Sequence, residues 1–452
     1  MKRYPRASLL KHSMSSQLLR IVSKHSRYGH FSLPMMAAIL HLLLTTLIYM
    51  TGRFRLAPDI VDINGIGLPS PSDCTWDRLQ LISLVNTLTH DGVAAWLKMP
   101  ASLHLKLYSL VFSASSSLFG FTILGAEPLN LFLYLVIVSL IYKIAQEAFD
   151  NRVAIVAAVA VAVWPSFLLH TTQVFRDPLF IAGLLALVYI GLRCVMRPYS
   201  WREGLATGVM AGATANFLLA VRIRMWILVL AALVVPSSLF FLRGAFRKRF
   251  LYTNATSILV ALVLAIGVPI LVFSQQSAVA GGIASSAAPI TEFSADTWEK
   301  AGSHILLLRQ RFLDTYPDAG SNIDAHYRPA SVSSYLLRAT AVGFFAPFPR
   351  MWLEAGREAG RAGRLLTGVE TFLIYLVQGL AAYTLFREPR KISSWLLVLV
   401  ATSGMIPLGF VVANIGALYR MRYAFWMLLI VLGARGLQQV RFDIRAKPFP
   451  AS

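Results

Sequence analysis

The chain has 452 residues, 56% of them hydrophobic and only 14% charged, with a mean hydropathy of +0.62. Soluble domains carry roughly a quarter of their residues charged, so this composition excludes that class and points to a polytopic membrane protein. The net charge of +21 sits in short Lys/Arg clusters between apolar runs, with no continuous basic face, so nucleic acid is not an expected partner.

In chain order, residues 1–32 form a basic segment that includes Lys2, Arg3, Arg6, Lys11, Arg20, Lys24 and Arg27. The apolar run that follows lacks a small-residue cleavage site and continues into "TGRFR", so it reads as a signal anchor. Runs about long enough to cross the hydrocarbon layer occupy 33–50, 128–146, 153–170, 178–195, 203–221, 225–242, 253–273, 365–386, 393–413 and 423–438. The expected fold is therefore an all-α polytopic membrane protein with about ten transmembrane helices. With a cytoplasmic N-terminus, ten crossings return the C-terminus to the cytoplasm. Clusters such as "RGAFRKR" (243–249) and "REPRK" (387–391) then face inward, as the positive-inside rule requires. The expected location is the inner (plasma) membrane, in contact with the lipid bilayer along every span.

Two further stretches are only moderately apolar. "LHLKLYSLVFSASSSLFGF" (103–121) carries His104 and Lys106, and "SSYLLRATAVGFFAPFP" (333–349) carries Arg338 and two prolines. Counting the first alone as a crossing sends "RGAFRKR" outward, so both read as interfacial or re-entrant helices on the outer face. The organisation expected is a core over 33–273 with a first outer loop at 51–127, a large periplasmic loop at 274–364, C-terminal spans over 365–440, and a cytoplasmic tail at 441–452. The small-residue patch at 277–289 reads as a flexible loop, with a mobile substrate lid as the sharper alternative. Cys74 and Cys194 fall on opposite sides, which argues against a disulfide, and no cysteine or histidine spacing marks a metal site. No cofactor is expected.

Three short outer turns complete the outer face: 171–177, 222–224 and 414–422. They place Arg176, Asp177, Arg222, Arg224, Arg420 and Arg422 outside, against the general charge bias. Charges that oppose the topological rule mark a site at the membrane surface; the plainer alternatives are a local ion pair and side chains snorkelling to headgroups. His90, His104, His170 and His304 read as interfacial histidines. Trp76, Trp96, Trp164, Trp226, Trp298 and Trp352 read mostly as an aromatic belt. In the first outer loop, Asp73 and Asp77 lie one helical turn apart ahead of Leu81, Leu84, Val85 and Leu88. That pattern predicts an amphipathic helix, with Asp73 as its cap and Asp77 in its first turn as one reading.

The order of these features resembles the GT-C superfamily of polyprenyl-phosphate-sugar-dependent membrane glycosyltransferases, among them the protein O-mannosyltransferases and the lipid A aminoarabinose transferase. The resemblance runs from Asp77 through Val85, Leu88, Gly92, Trp96 and Pro100 to Leu118-Phe119-Gly120. It continues in residues 126–170 and 201–230, and ends in "ANIGALYRMRYAFWMLLIVLGARGL" (413–437). Two positions depart from the family pattern: Arg78 stands where a second acid is usual, and Leu81 where an aromatic is usual. The resemblance implies an inverting transfer of sugar from a polyprenyl-phosphate donor to a periplasmic acceptor, a lipid-linked glycan or surface polysaccharide. Such a transfer needs a base and a cationic site for the departing phosphate. Asp77 is the candidate base, with Asp73 beside it, and Asp177 is a candidate to orient the acceptor or an arginine. Arg420 and Arg422 are the first candidates for the phosphate, followed by Arg222, Arg224 and Arg176. An oligosaccharide polymerase or ligase is the first rival, since it also uses outer-face arginines. A transporter or flippase for lipid-linked sugars ranks third, because charges here sit at span ends and no internal repeat is visible.

Overall fold

The computed structural model describes residues 33–57, 73–248, 251–279, 295–315, 331–353 and 360–446, together with 61, 67, 322–324, 327 and 329. Helix α1 covers Leu33–Arg53. Three shorter helices follow: α2 (Asp73–Asn86), α3 (Gly92–Lys98) and α4 (Leu103–Phe119). The central bundle comprises α5 (Ile123–Ala148), α6 (Asn151–Ala162), α7 (Pro165–Thr171), α8 (Asp177–Met196), α9 (Trp201–Val221), α10 (Trp226–Arg247) and α11 (Tyr252–Val279). The C-terminal part adds α12 (Ala295–Thr315), α13 (Val332–Phe345), α14 (Gly360–Arg387), α15 (Ile392–Val411), α16 (Ile415–Met421) and α17 (Tyr423–Ala446).

Among the described residues, nine helices are long and apolar enough to cross a membrane, and ten crossings result if the α6–α7 pair counts as one. They fall on the ten runs expected from sequence. Helices α4 and α13, of 17 and 14 residues, are too short to be counted among them. Lipid leaves no partner for a free backbone amide, so long apolar runs fold as helices and the protein is a multi-pass membrane protein.

One expected span differs in shape. The run over 153–170 is two helices whose axes differ by 65°. Trp164, the residue before Pro165, is extended, because the proline ring crowds the helical conformation of its predecessor. Pro165 then opens α7, where its missing N–H removes no helical bond.

Close packing between helices rests on small residues. A Cβ on Gly208 of α9 would lie 2.6 Å from the Ser257 carbonyl oxygen of α11, and one on Gly409 of α15 only 2.0 Å from that of Ala339 on α13. Bare backbone lets these helices approach to van der Waals contact. The aromatic-belt reading is corrected at two positions. Trp96 is buried and donates to Ser109 Oγ at 2.9 Å, and Trp164 is buried edge-on against Trp426 at 4.3 Å. Both are core residues.

The end of the bundle that sequence places in the cytoplasm is closed by charge. Asp150 caps α6, accepting from the amides of Arg152 and Val153, and its other oxygen lies 3.4 Å from Arg435 of α17. Arg435 Nε also donates to Glu388 at 3.0 Å, and Lys391 lies 3.5 Å from the same carboxylate. The carboxyl of Glu388 is drawn upward by partial burial, yet Arg435 and Lys391 hold it below the ordinary glutamate range.

Candidate active site

The opposite end of the bundle gathers the turns after α1, α7, α9 and α15. Helix α2 packs Leu81, Leu84 and Val85 against Leu105, Tyr108 and Phe112 of α4. One turn earlier on α2, Asp77 comes to the rim of that contact. Its Oδ2 lies 3.7 Å from His104 Nε2, and its side chain is 26% exposed. Asp77 lines a pocket with Arg78, Phe112, Phe121, Thr122 and Val174. Helix α2 begins at Asp73 itself rather than after it, and the Asp73 side chain lies outside the described residues. Gly120, with φ +62°, ends α4 in a conformation that a residue with a Cβ rarely adopts, and the chain turns there toward Phe121 and Thr122.

The second carboxylate is held very differently. Asp177 opens α8 and is only 4% exposed; its Oδ1 lies 2.6 Å from Arg222 Nη1, and its Oδ2 accepts from His170 Nε2 at 3.1 Å. An ionised carboxylate only accepts, so this bond fixes a proton on Nε2. The His170 ring stacks on Phe175 at 4.7 Å between centroids, and Arg420 lies over the other partner of that stack, 5.1 Å from the Phe175 ring. One carboxylate thus faces two guanidinium groups, and the cluster is net cationic.

The two carboxylates share a wall. Val174 lines the Asp77 pocket, while Phe175 and Asp177, one and three residues on, belong to the cationic cluster. The wall is pinned from outside: Tyr108 donates to Asn130 Oδ1 at 2.6 Å, and Asn130 Nδ2 donates to the Thr172 carbonyl at 3.0 Å. Below it, Glu127 accepts from His41 Nδ1 at 2.7 Å and from Thr45 at 2.9 Å, and His41 Nε2 lies 3.2 Å from Thr171 Oγ1.

The outer-face arginines do not act together. Arg420 sits at the cluster, but Arg422, two residues on, is buried and turned away. It lies over the Tyr419 ring at 4.7 Å, with Nη1 3.4 Å from the Gly343 carbonyl oxygen. Burial lowers its pKa from the usual arginine value, opposed by Tyr419 and Tyr423. Arg176 and Arg224 are exposed and form no ion pair among the described residues. Part of the large second segment reaches the same end of the fold. Asn322 bridges to Asn414, and Ile323 N–H donates to the Ala413 carbonyl at 2.8 Å, just before the helix that carries Arg420. Most of the 277–289 patch lies outside the described residues.

His104 and His170 are the partners that the sequence reading placed at the interface as unremarkable histidines; both are buried beside a carboxylate. His41, Glu127 and Glu370 were missed outright. The available signal was their ionisable side chains inside otherwise apolar runs. Among the described residues, no group of three His, Cys, Asp or Glu side chains converges as a metal-binding set.

Residues 106–273, which run from α4 through the Asp177 cluster to α11, match the family model of dolichyl-phosphate-mannose-protein mannosyltransferase. No curated protein sequence matches the chain. Among solved structures, this chain is similar to the archaeal oligosaccharyltransferase AglB from Archaeoglobus fulgidus in complex with an inhibitory peptide and a dolichol-phosphate. Identity is 14% and the TM-score 0.45, over 93% of this chain and 51% of that one. It is also similar to ArnT from Cupriavidus metallidurans bound to undecaprenyl phosphate, with 14% identity and a TM-score of 0.36 over 90% and 79% of the two chains. The chain spans about half the length of the archaeal oligosaccharyltransferase it matches.

Proposed function

We propose that this protein transfers a sugar from a polyprenyl-phosphate carrier to an extracytoplasmic acceptor, with inversion, and that Asp77 is its general base. The reading rests on one contrast: Asp77 is a part-exposed carboxylate opening into a pocket, whereas Asp177 is buried and committed to Arg222 and His170. A base must be reachable by a bound acceptor, and of the two carboxylates Asp77 is the one that is part-exposed and not committed to an arginine. In the step proposed, Asp77 takes the proton from an acceptor hydroxyl or amine, whose oxygen or nitrogen bonds to the anomeric carbon. The bond from that carbon to the phosphate oxygen breaks, and the lipid phosphate departs as an anion.

The cationic cluster supports the second half of that step. Arg420 and Arg222, fixed by Phe175 and Asp177, supply charge where negative charge develops, and preorganised charge of this kind is the largest usual term in such catalysis. Asp177 is assigned the orientation of Arg222, and His104 stands beside the base. The acceptor proposed is a lipid-linked glycan or surface polysaccharide, on the outer side of the plasma membrane. The test is a deletion strain complemented with Asp77→Asn, the surface glycan being followed by mass spectrometry. Loss of the glycan by a factor on the order of 10² or more at normal protein level is expected for a missing general base. Full glycan from Asp77→Asn would remove the assignment.

A further inference from the structure

We propose that Glu370 is a positioning residue that fixes Arg420 relative to the His170–Asp177 pair within the cationic cluster, an inference that rests on the function proposed above. Glu370 lies on α14 and is 1% exposed. Its Oε1 accepts from the Ser166 backbone N–H at 2.6 Å, and its Oε2 accepts from the Tyr419 hydroxyl at 2.8 Å. Ser166 is the second residue of α7, whose last turn carries His170, the partner of Asp177. Tyr419 is the immediate neighbour of Arg420 on α16. A third bond closes the ring, from the Tyr423 hydroxyl to Ser166 Oγ at 2.8 Å. One carboxylate therefore grips the helix that orients the Asp177 cluster and the helix that delivers Arg420.

The choice of a carboxylate follows from the bend at Pro165. A helix that starts afresh exposes amides with no carbonyl one turn back, and Pro165 contributes none, so the Ser166 amide is the first orphan of α7. A buried anion at a helix N-terminus satisfies that amide and complements the helix dipole. No cation lies within ion-pair distance of Glu370 among the described residues. Burying an unpaired charge is costly, and the two helices it joins are the ones that set the site. The buried Glu127 differs: its bonds reach α1 and, through His41, Thr171, but not α16.

The test uses the purified full-length protein in lipid nanodiscs, with undecaprenyl phosphate as the probe. In Glu370→Gln the amide oxygen still accepts from Ser166 and the amide N–H donates to Tyr419, so both tethers survive. Glu370→Ala removes both, and Glu370→Asp is one methylene too short to keep the two. Weakening one charge-assisted hydrogen bond from an arginine to a phosphate changes affinity on the order of tenfold. The expected result is a Kd raised roughly tenfold in Glu370→Ala and Glu370→Asp at unchanged binding stoichiometry, and within about twofold of wild type in Glu370→Gln. Amide hydrogen exchange should accelerate together over 165–171 and 415–421 in the first two variants and in neither segment of the third. A change in stoichiometry at constant Kd, or exchange that rises in only one of the two segments, overturns the proposal. Arg420→Ala separates the two readings. If it binds undecaprenyl phosphate as tightly as wild type, or wild type fails to bind, the proposed function falls, while paired exchange alone still decides the tether.

Discussion

Asp77 and Asp177 carry the same chemical group in opposite settings, and they should respond oppositely to the same substitution. Asp177→Asn leaves Arg222 buried without its counter-charge, and breaking one side of a buried pair costs about 3–5 kcal/mol. Asp77 is part-exposed and makes no hydrogen bond among the described residues, so Asp77→Asn should change stability by no more than about 0.5 kcal/mol. Thermal unfolding of the two purified variants decides this; equal losses would mean that Asp77 is also a structural group. Both aspartates were legible as candidates in the sequence, Asp77 ahead of the apolar-periodic segment that the family resemblance begins on, and Asp177 in a short outer turn among charges that oppose the topological bias. Their histidines were not. His104 lies 27 residues after Asp77, and His170 seven before Asp177, on a separate short helix, so no linear spacing announces either pair. Arg420 and Arg422 show the same limit from the other side: two residues apart in sequence, they point to different neighbours because a helix turns about 100° per residue, so two steps carry a side chain to roughly the opposite face.

The long spans were legible to within a few residues, since membrane burial leaves the backbone no alternative to the helix. The short elements were not, because hydropathy is blind to a break within one continuous apolar run. The α6–α7 bend is the clearest instance: "VWPSFLLH" contains the proline that makes it, yet prolines inside α5, α10, α11 and α15 are accommodated within continuous helices. Tertiary bonds decide which proline breaks a helix. The large second segment makes the same point. Asp324 accepts from Arg338 Nε at 2.8 Å and Nη2 at 2.9 Å, while Arg309 donates to the carbonyls of Ile323 and Asp324, each at 3.2 Å. Partial burial draws the Asp324 carboxyl upward, but Arg338 and Tyr335 outweigh it and hold the pKa below its ordinary 3.8. Its contribution to anchoring is complete above that ordinary value and is lost as pH falls through the lowered one. Limited proteolysis of the second segment should therefore accelerate only in strong acid. Asp324→Asn should reproduce the acid behaviour at pH 7; unchanged cleavage in that variant would show that the pair anchors nothing.

At the scale of the molecule, the two ends of the bundle differ in the kind of charge they hold. One end has Asp77 and Asp177 among turns that line a pocket; the other has Asp150, Glu388, Lys391 and Arg435 locked to one another. The positive-inside argument assigns the first end to the outside. Labelling with a membrane-impermeant maleimide checks it, using Cys194→Ser as background because that thiol is buried. Native Cys74 should label in intact cells, and Ala245→Cys, in a protein that also carries Cys74→Ser, only after the membrane is opened. The reverse pattern would put the pocket on the cytoplasmic side.

The bond between His41 and Glu127 joins residues 86 positions apart, and α1 otherwise shows most of its surface outward, with Met35, Met36, Leu43 and Leu47 all exposed. A ribosome delivers α1 to the bilayer before α5, so an imidazole waits in the lipid for an acid that has yet to be synthesised. When α5 arrives it finds a proton donor already in place, and its glutamate need never stand alone among acyl chains. Biogenesis of this bundle would then have a built-in order, with the least buried of the described spans acting as the dock for the one that follows.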